Sequence, residues 1–269
     1  MSVVIITGAS DGIGQELARQ MAQKQGDGLT LVLAARRAER LEALAETLRT
    51  YGTRVECIPT DVTQKDACRY LIDETIRRAG RIDVLVNNAG MSAHANFQTT
   101  TDVDLDWFEQ LMVINYWSVV WLTHAALPHL LDSKGLVVGV SSVAGLVGVP
   151  GRTAYCGTKF AMNGFLEALR AEMAHTGLRV MIAYPGTIDT NLRKNGFGPG
   201  GKPPGVSMIR DDRAMPVETC AALIRKGIER NKREVVMTPK AFVGRFLRLL
   251  APALVDRMAM TEVKEEYKP

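Results

Sequence analysis

Tyr155 and Lys159 stand four residues apart in the segment YCGTK, a spacing that puts both side chains on one face of a helix. Reducing a carbonyl takes a hydride from one side and a proton delivered to the oxygen. A phenol, ordinarily titrating at about 10, is a poor acid–base partner at neutral pH. A lysine ammonium beside it favours the phenolate. Ser142 lies thirteen residues before Tyr155, at the end of the apolar run GLVVGVSS. Parallel sheets present ligand groups at such strand ends, and a hydroxyl there can polarise a substrate oxygen. A serine in that position also serves as a helix cap.

A second constellation lies at the other end of the chain. TGASDGIG, residues 7–14, follows the apolar run VVIIT and precedes an amphipathic stretch. Gly8, Gly12 and Gly14 allow a tight turn and close backbone approach, and the following helix turns its positive dipole end toward a pyrophosphate. The dinucleotide pattern then looks for an acid about 20 residues on, to hold ribose hydroxyls. Here that place reads Ala34, Ala35, Arg36, Arg37. Two arginines repel nothing on a 2′-phosphate and pair with it through charge-assisted bonds, so the expected cofactor is NADP(H). The competing use of Arg36 and Arg37 is the solvated start of a helix.

These groups need a frame. Short apolar runs alternate with longer amphipathic ones: strands are predicted at 3–7, 29–36, 54–62, 82–90, 135–142 and 178–186. Between them lie helical segments in which apolar residues recur every three or four positions, as do Ile13, Leu17 and Met21. Strands apolar on both faces, alternating with helices, predict a parallel, doubly wound α/β sheet flanked by helices, in one domain over 1–269. The stretch 111–131 carries no Asp, Glu, Lys or Arg. Its Asn115, His124, Pro128 and His129 predict a helix in the core or at a subunit interface rather than a membrane span.

Bulk properties exclude several classes. The 269 residues carry a net charge of +4 without a long Lys/Arg run, which argues against nucleic-acid binding. Cys57, Cys68, Cys156 and Cys220 form no C-x-x-C pair, and the four histidines have no metal spacing. Reduced thiols, no metal and, with no basic–apolar leader before the first strand, a cytoplasmic location are expected.

TGASDGIG, Asp61-Val62, NNAG at 87–90, Asn115, Ser142, YCGTK and Pro185-Gly186 occur in the order of the short-chain dehydrogenase/reductase family, which the chain resembles from residue 3 to about 190. The resemblance implies a Rossmann-type fold, a homodimer or homotetramer, and a small alcohol or carbonyl substrate. It implies that Gly8, Ser10, Gly12, Ile13 and Gly14 cradle the pyrophosphate, and that Arg36 and Arg37 hold the 2′-phosphate. Asp61 and Val62 would flank the adenine. Asn88, Ala89 and Gly90 would line the cofactor, and Pro185, Gly186, Ile188 and Thr190 would close over the nicotinamide. Asn115, Ser142, Tyr155 and Lys159 would form a catalytic tetrad, Tyr155 and Lys159 also touching cofactor. Asn115 would hold a water leading from Lys159, a core hydrogen bond being its other use.

Substrate choice is expected from Met91, Ser92 and His94, from the apolar 143–152 loop and from a Gly/Pro-rich loop within 187–210, which together suggest a lipophilic substrate. Residues 240–260 predict a basic amphipathic helix that docks on the substrate region or a partner subunit, or touches a membrane surface. Two rival functions fit parts of the chain: a non-catalytic NADP(H)-binding regulator and a peripheral membrane reductase of lipids or steroids.

Overall fold

The run VVIIT is β-branched and apolar on both sides, and such a strand is stable only with both faces covered. It forms the centre of the sheet. In the computed structural model, which describes residues 2–192, 195–203 and 214–261, β1 (Ser2–Thr7) is followed by α1 (Gly12–Gln25), β2 (Leu29–Ala35), α2 (Ala38–Arg49), β3 (Arg54–Pro59), α3 (Lys65–Ala79) and β4 (Val84–Asn87). Then come α4 (Asp102–Met112), a π-helical turn (Val113–Trp117), α5 (Ser118–Asp132), β5 (Leu136–Val140), α6 (Thr153–Glu172) and β6 (Arg179–Tyr184). The chain continues through α7 (Val217–Glu229), β7 (Glu234–Val236), α8 (Pro239–Leu250) and α9 (Pro252–Met260).

Among the described residues, seven strands pair in parallel in the order β3-β2-β1-β4-β5-β6-β7. This is a Rossmann-type doubly wound sheet in a single domain. Strand order reverses between β1 and β4, which opens a crevice at their carboxyl ends. Alternate residues of β1 feed two cores. Val4 and Ile6 pack with Leu17, Met21, Leu41 and Ile224 of α1, α2 and α7. Val3 and Ile5 pack with Leu71, Leu122 and Leu166 of α3, α5 and α6.

The structure departs from the predicted elements in three places. The charge-free stretch 111–131 is not one helix: the helix begins at Asp102, where Thr101 and Asp104 form a capping box, and the π-turn around Asn115 separates α4 from α5. The tail 240–260 is two helices, broken where Ala251 leaves helical geometry (φ −143°) ahead of Pro252. And α7 with β7 extends the sheet past β6. Of the predicted 187–210 loop, residues 193–194 and 204–210 lie outside the described residues.

Candidate active site

The floor of the crevice is a backbone junction between the turns after β1 and β4. Gly8 sits in the left-handed region (φ +65°), and a Cβ there would fall 2.9 Å from Ala89 Cα. The Thr7 hydroxyl accepts from the amides of Asn88 and Ala89, both at 3.0 Å, and donates to Val86 O at 3.2 Å. The Asn88 amide nitrogen donates to Thr7 O at 2.8 Å. Gly14 lets α1 start directly over this junction, since a Cβ there would be 2.5 Å from both Gly8 O and Asn88 Nδ2. Asp11 caps α1, its carboxylate accepting from Gly12 N at 2.7 Å. A tightly packed glycine turn before a helix N-terminus fits a dinucleotide's pyrophosphate.

Arg36 and Arg37 follow the last residue of β2 and are exposed at one end of the cleft. Arg37 also occupies the N-cap position of α2, so both sequence-based uses of this pair coincide. Asp61 turns its carboxylate onto its own loop, accepting from Thr63 N at 3.0 Å and Thr63 Oγ1 at 2.8 Å.

At the other end, β5 delivers Ser142 in extended geometry (φ −165°). Its hydroxyl accepts from Ala144 N at 3.2 Å, capping a short 3₁₀ turn, and thereby stays oriented. Tyr155 and Lys159 rise from the first turns of α6, only 4% and 5% exposed. Lys159 Nζ donates to Val140 O at 2.9 Å and lies 5.7 Å from the centre of the Tyr155 ring. Burial holds the Lys159 ammonium below its ordinary titration range, the charge of Tyr155 opposing that and Arg152 adding to it. Cys156 is buried beside Val149, whose amide donates to its sulfur at 3.4 Å.

One cleft of about 310 Å³ joins the two ends. Its walls include Gly8, Ser10, Gly12, Ile13, Arg36, Arg37, Asp61, Val62, Asn88, Ala89 and Gly90 together with Ser142, Tyr155, Lys159, Pro185, Gly186, Ile188 and Thr190. Gly14 lies beneath the turn. Asn115 is the exception among the expected site residues. Its side chain stands behind Gly90, accepting from Met91 N at 2.8 Å and donating to Met91 O at 2.9 Å and Thr158 Oγ1 at 3.0 Å. That is the core hydrogen bond weighed as its other use, and it ties α6 to the loop after β4.

Sequence reasoning passed over Arg152, which lines the same cleft. The signal was available, since it lies three residues before Tyr155 at the start of the same helix. His94 bonds through its backbone to Phe197 O at 2.9 Å and is pushed down to about 4 by burial and then by Arg152. Trp107 is buried in α4, its indole donating to Asp104 at 2.9 Å. Among the described residues, no cluster suits a metal ion, and no helix is long and apolar enough to cross a membrane.

A seven-stranded parallel sheet with a glycine-turn cleft at the switch point defines a Rossmann-type nucleotide-binding architecture. The family model described as short chain dehydrogenase matches residues 2–197. An Arabidopsis thaliana protein named 11-beta-hydroxysteroid dehydrogenase-like 2 is 37% identical over 258 residues, covering 94% of this chain and 79% of its own length. A Streptomyces avermitilis short-chain dehydrogenase structure superposes with a TM-score of 0.79 at 28% identity, over 97% of each chain. A Thermococcus sibiricus alcohol dehydrogenase solved with 5-hydroxy-NADP superposes with a TM-score of 0.75 at 26% identity, over 88% of this chain and 96% of its own. The chain belongs to the short-chain dehydrogenase family and is an oxidoreductase.

Proposed function

We propose that this protein is an NADP(H)-dependent oxidoreductase that interconverts a lipophilic secondary alcohol and its ketone, or an aldehyde and its alcohol. The observation that carries the reading is the single cleft with Arg36 and Arg37 at one end and Ser142, Tyr155 and Lys159 at the other. The nicotinamide supplies the hydride when bound. Arg36 and Arg37 hold the 2′-phosphate, Gly8, Ser10, Gly12, Ile13 and Gly14 hold the pyrophosphate, and Asp61 and Val62 flank the adenine. Asn88, Ala89 and Gly90 line one side of the cofactor, and Pro185, Gly186, Ile188 and Thr190 close over it.

Ser142, oriented by its cap bond, donates a hydrogen bond that polarises the substrate oxygen. Tyr155 delivers its phenolic proton to that oxygen on reduction and takes it back on oxidation. Lys159, held by Val140 O, places a positive charge that favours the phenolate form of Tyr155. Asn115 locks the loop after β4 to α6. Met91, Ile114 and Leu192 make the substrate end apolar, and the steroid-dehydrogenase name of a relative supports a lipophilic substrate.

The test is oxidation of NADPH and NADH against a panel of ketones and aldehydes, with Tyr155→Phe alongside. NADPH preference and a loss of about 10²–10⁴-fold in kcat for Tyr155→Phe are expected. Retained turnover in that variant sinks the mechanism. Tight NADPH binding with no hydride transfer to any substrate would favour the regulator.

A membrane-proximal version of this activity is favoured by α8. The helix seats Ala241 and Gly244 on the body and leaves Phe242, Phe246, Leu249 and Leu250 exposed, beside Arg248. Such a surface suits an anionic lipid face. Co-sedimentation with anionic vesicles, lost in Phe246→Glu/Leu250→Glu with catalysis kept, is the expected result. No vesicle binding would assign this face to a protein contact.

A further inference from the structure

Arg152 sits where a buried cation is costly. It is 9% exposed, and its guanidinium carbon lies 4.0 Å from the centre of the Tyr155 ring, a stacked cation–π distance. Two bonds to the loop after β4 set the plane of the guanidinium: Nη2 donates to Ser92 Oγ at 2.6 Å and Nε to Ala93 O at 3.4 Å. Lys159 Nζ lies 5.7 Å from the centre of the same ring, so two cations stand within about 6 Å of it.

We propose that Arg152 is a positioning residue for the proton transfer, fixing the Tyr155 ring by stacking and supplying a second cation whose attraction for that ring grows as the phenol sheds its proton. The proposal rests on the reading of Tyr155 as the proton-transfer group. A stacked cation is drawn to the electron-rich face of a neutral phenol and more strongly to a ring carrying negative charge. The interaction is therefore stronger in the proton-transfer state than in the resting one, which is the requirement for accelerating a step. Lysine at this position would keep a charge and lose the planar stack.

The charge of Arg152 reaches its neighbours. It adds to burial in lowering His94 and Lys159, and it opposes burial at Cys156. Among the described residues these are Lys159 and Cys156 on the helix of Tyr155, and His94 on the loop after β4. On α4, packed against the same cluster, the buried acid is Asp104, whose carboxylate is taken up by Thr101, Trp107 and Gly200 N, while Asp102, Asp106 and Glu109 are exposed.

The test is alcohol oxidation with NADP⁺, in wild type, Arg152→Met, Arg152→Lys, Ser92→Ala and Tyr155→Phe, with kcat and KM followed from pH 6 to 10. For Arg152→Met, a fall of about tenfold in kcat at pH 7 (about 1.4 kcal/mol) is expected, with KM within about twofold. The midpoint of the rising pH limb should move about one pH unit upward. Arg152→Lys should recover part of the midpoint and little of kcat. Should Arg152→Met fail to fold, Ser92→Ala, which frees the guanidinium plane, should show a smaller shift in the same direction. An unmoved midpoint in folded Arg152→Met, or in Ser92→Ala where that is the variant in hand, overturns the proposal. So does a KM increase confined to acidic substrates, which would make Arg152 a substrate contact. Turnover by Tyr155→Phe is a different failure, of the underlying reading.

Discussion

Replacing Gly14 with alanine probes the junction on which the cleft is built. The added methyl would lie 2.5 Å from Gly8 O and 2.5 Å from Asn88 Nδ2. Gly8 cannot yield easily, because its own left-handed backbone is pressed against Ala89. Either α1 lifts away from the turn, or the Asn88 side chain swings out and gives up its 2.8 Å bond to Thr7 O. Overpacking of this kind costs about 1–3 kcal/mol, and the lost bond about 1 kcal/mol more. Alanine regains about 1 kcal/mol of helix propensity over glycine. The balance is a loss of about 1–3 kcal/mol, or roughly 3–10 °C in Tm for a chain of this size. Because the displaced atoms are those proposed to cradle the pyrophosphate, NADPH affinity should fall about tenfold. Thermal melting with and without NADPH, and a fluorescence titration of the cofactor, read both quantities. Gly28→Ala is the control, since a Cβ there meets nothing within 4 Å. If Gly14→Ala melts with the wild type and binds NADPH equally well, the proposed packing of α1 on this junction is wrong.

Three further outcomes follow from the same structure. Arg36→Ala/Arg37→Ala should weaken NADPH by about 10–100-fold in kcat/KM and leave NADH nearly unchanged; equal losses with both cofactors would remove the 2′-phosphate assignment. The fold holds His94 at about 4 against an ordinary 6.5, so below pH 6.5 the unfolded chain takes up a proton that the folded one refuses. Stability should therefore fall by about 2–3 kcal/mol between pH 6.5 and 4 and the loss should be relieved in His94→Gln, as chemical denaturation at stepped pH would record; an identical slope in both proteins refutes it. Asp104 accepts from Gly200 N at 2.7 Å and so ties the 195–203 segment to α4, where Trp107 also stacks on Phe197. Asp104→Asn should raise the substrate KM several-fold while NADPH affinity stays within about twofold, and unchanged KM would detach that segment from substrate binding.

Much of this protein is written locally. Continuous apolar runs separated by helix-period segments require a parallel sheet covered on both faces, because strands such as VVIIT have no side that tolerates water. The glycine turn, the arginine pair after β2 and the Tyr155–Lys159 spacing are each contained in a few consecutive residues, so each is legible without the fold. The edges were less legible. Chain direction at strand ends is set by partners, as where Val143 N reaches Pro185 O at 2.9 Å. The short β7 forms by pairing with β6, while α7, amphipathic in its own right, packs its apolar face on α1.

The amino-acid sequence by itself determined the parallel sheet through its first six strands, the alternation of its elements and the residue types at the head of each strand, since those depend on short-range periodicity and on which residues tolerate burial. Tertiary structure alone decided what faces what. It set the Asn115 side chain between Met91 and Thr158, because the loop after β4 and α6 meet there only once the sheet and helices are assembled. It turned the phenylalanines of α8 outward, because the small Ala241 and Gly244 allow the helix to lie close on the 143–149 loop. And it laid Arg152 on the ring of Tyr155, because Ser92, sixty residues earlier, meets the start of α6 only when β4 and β5 are paired.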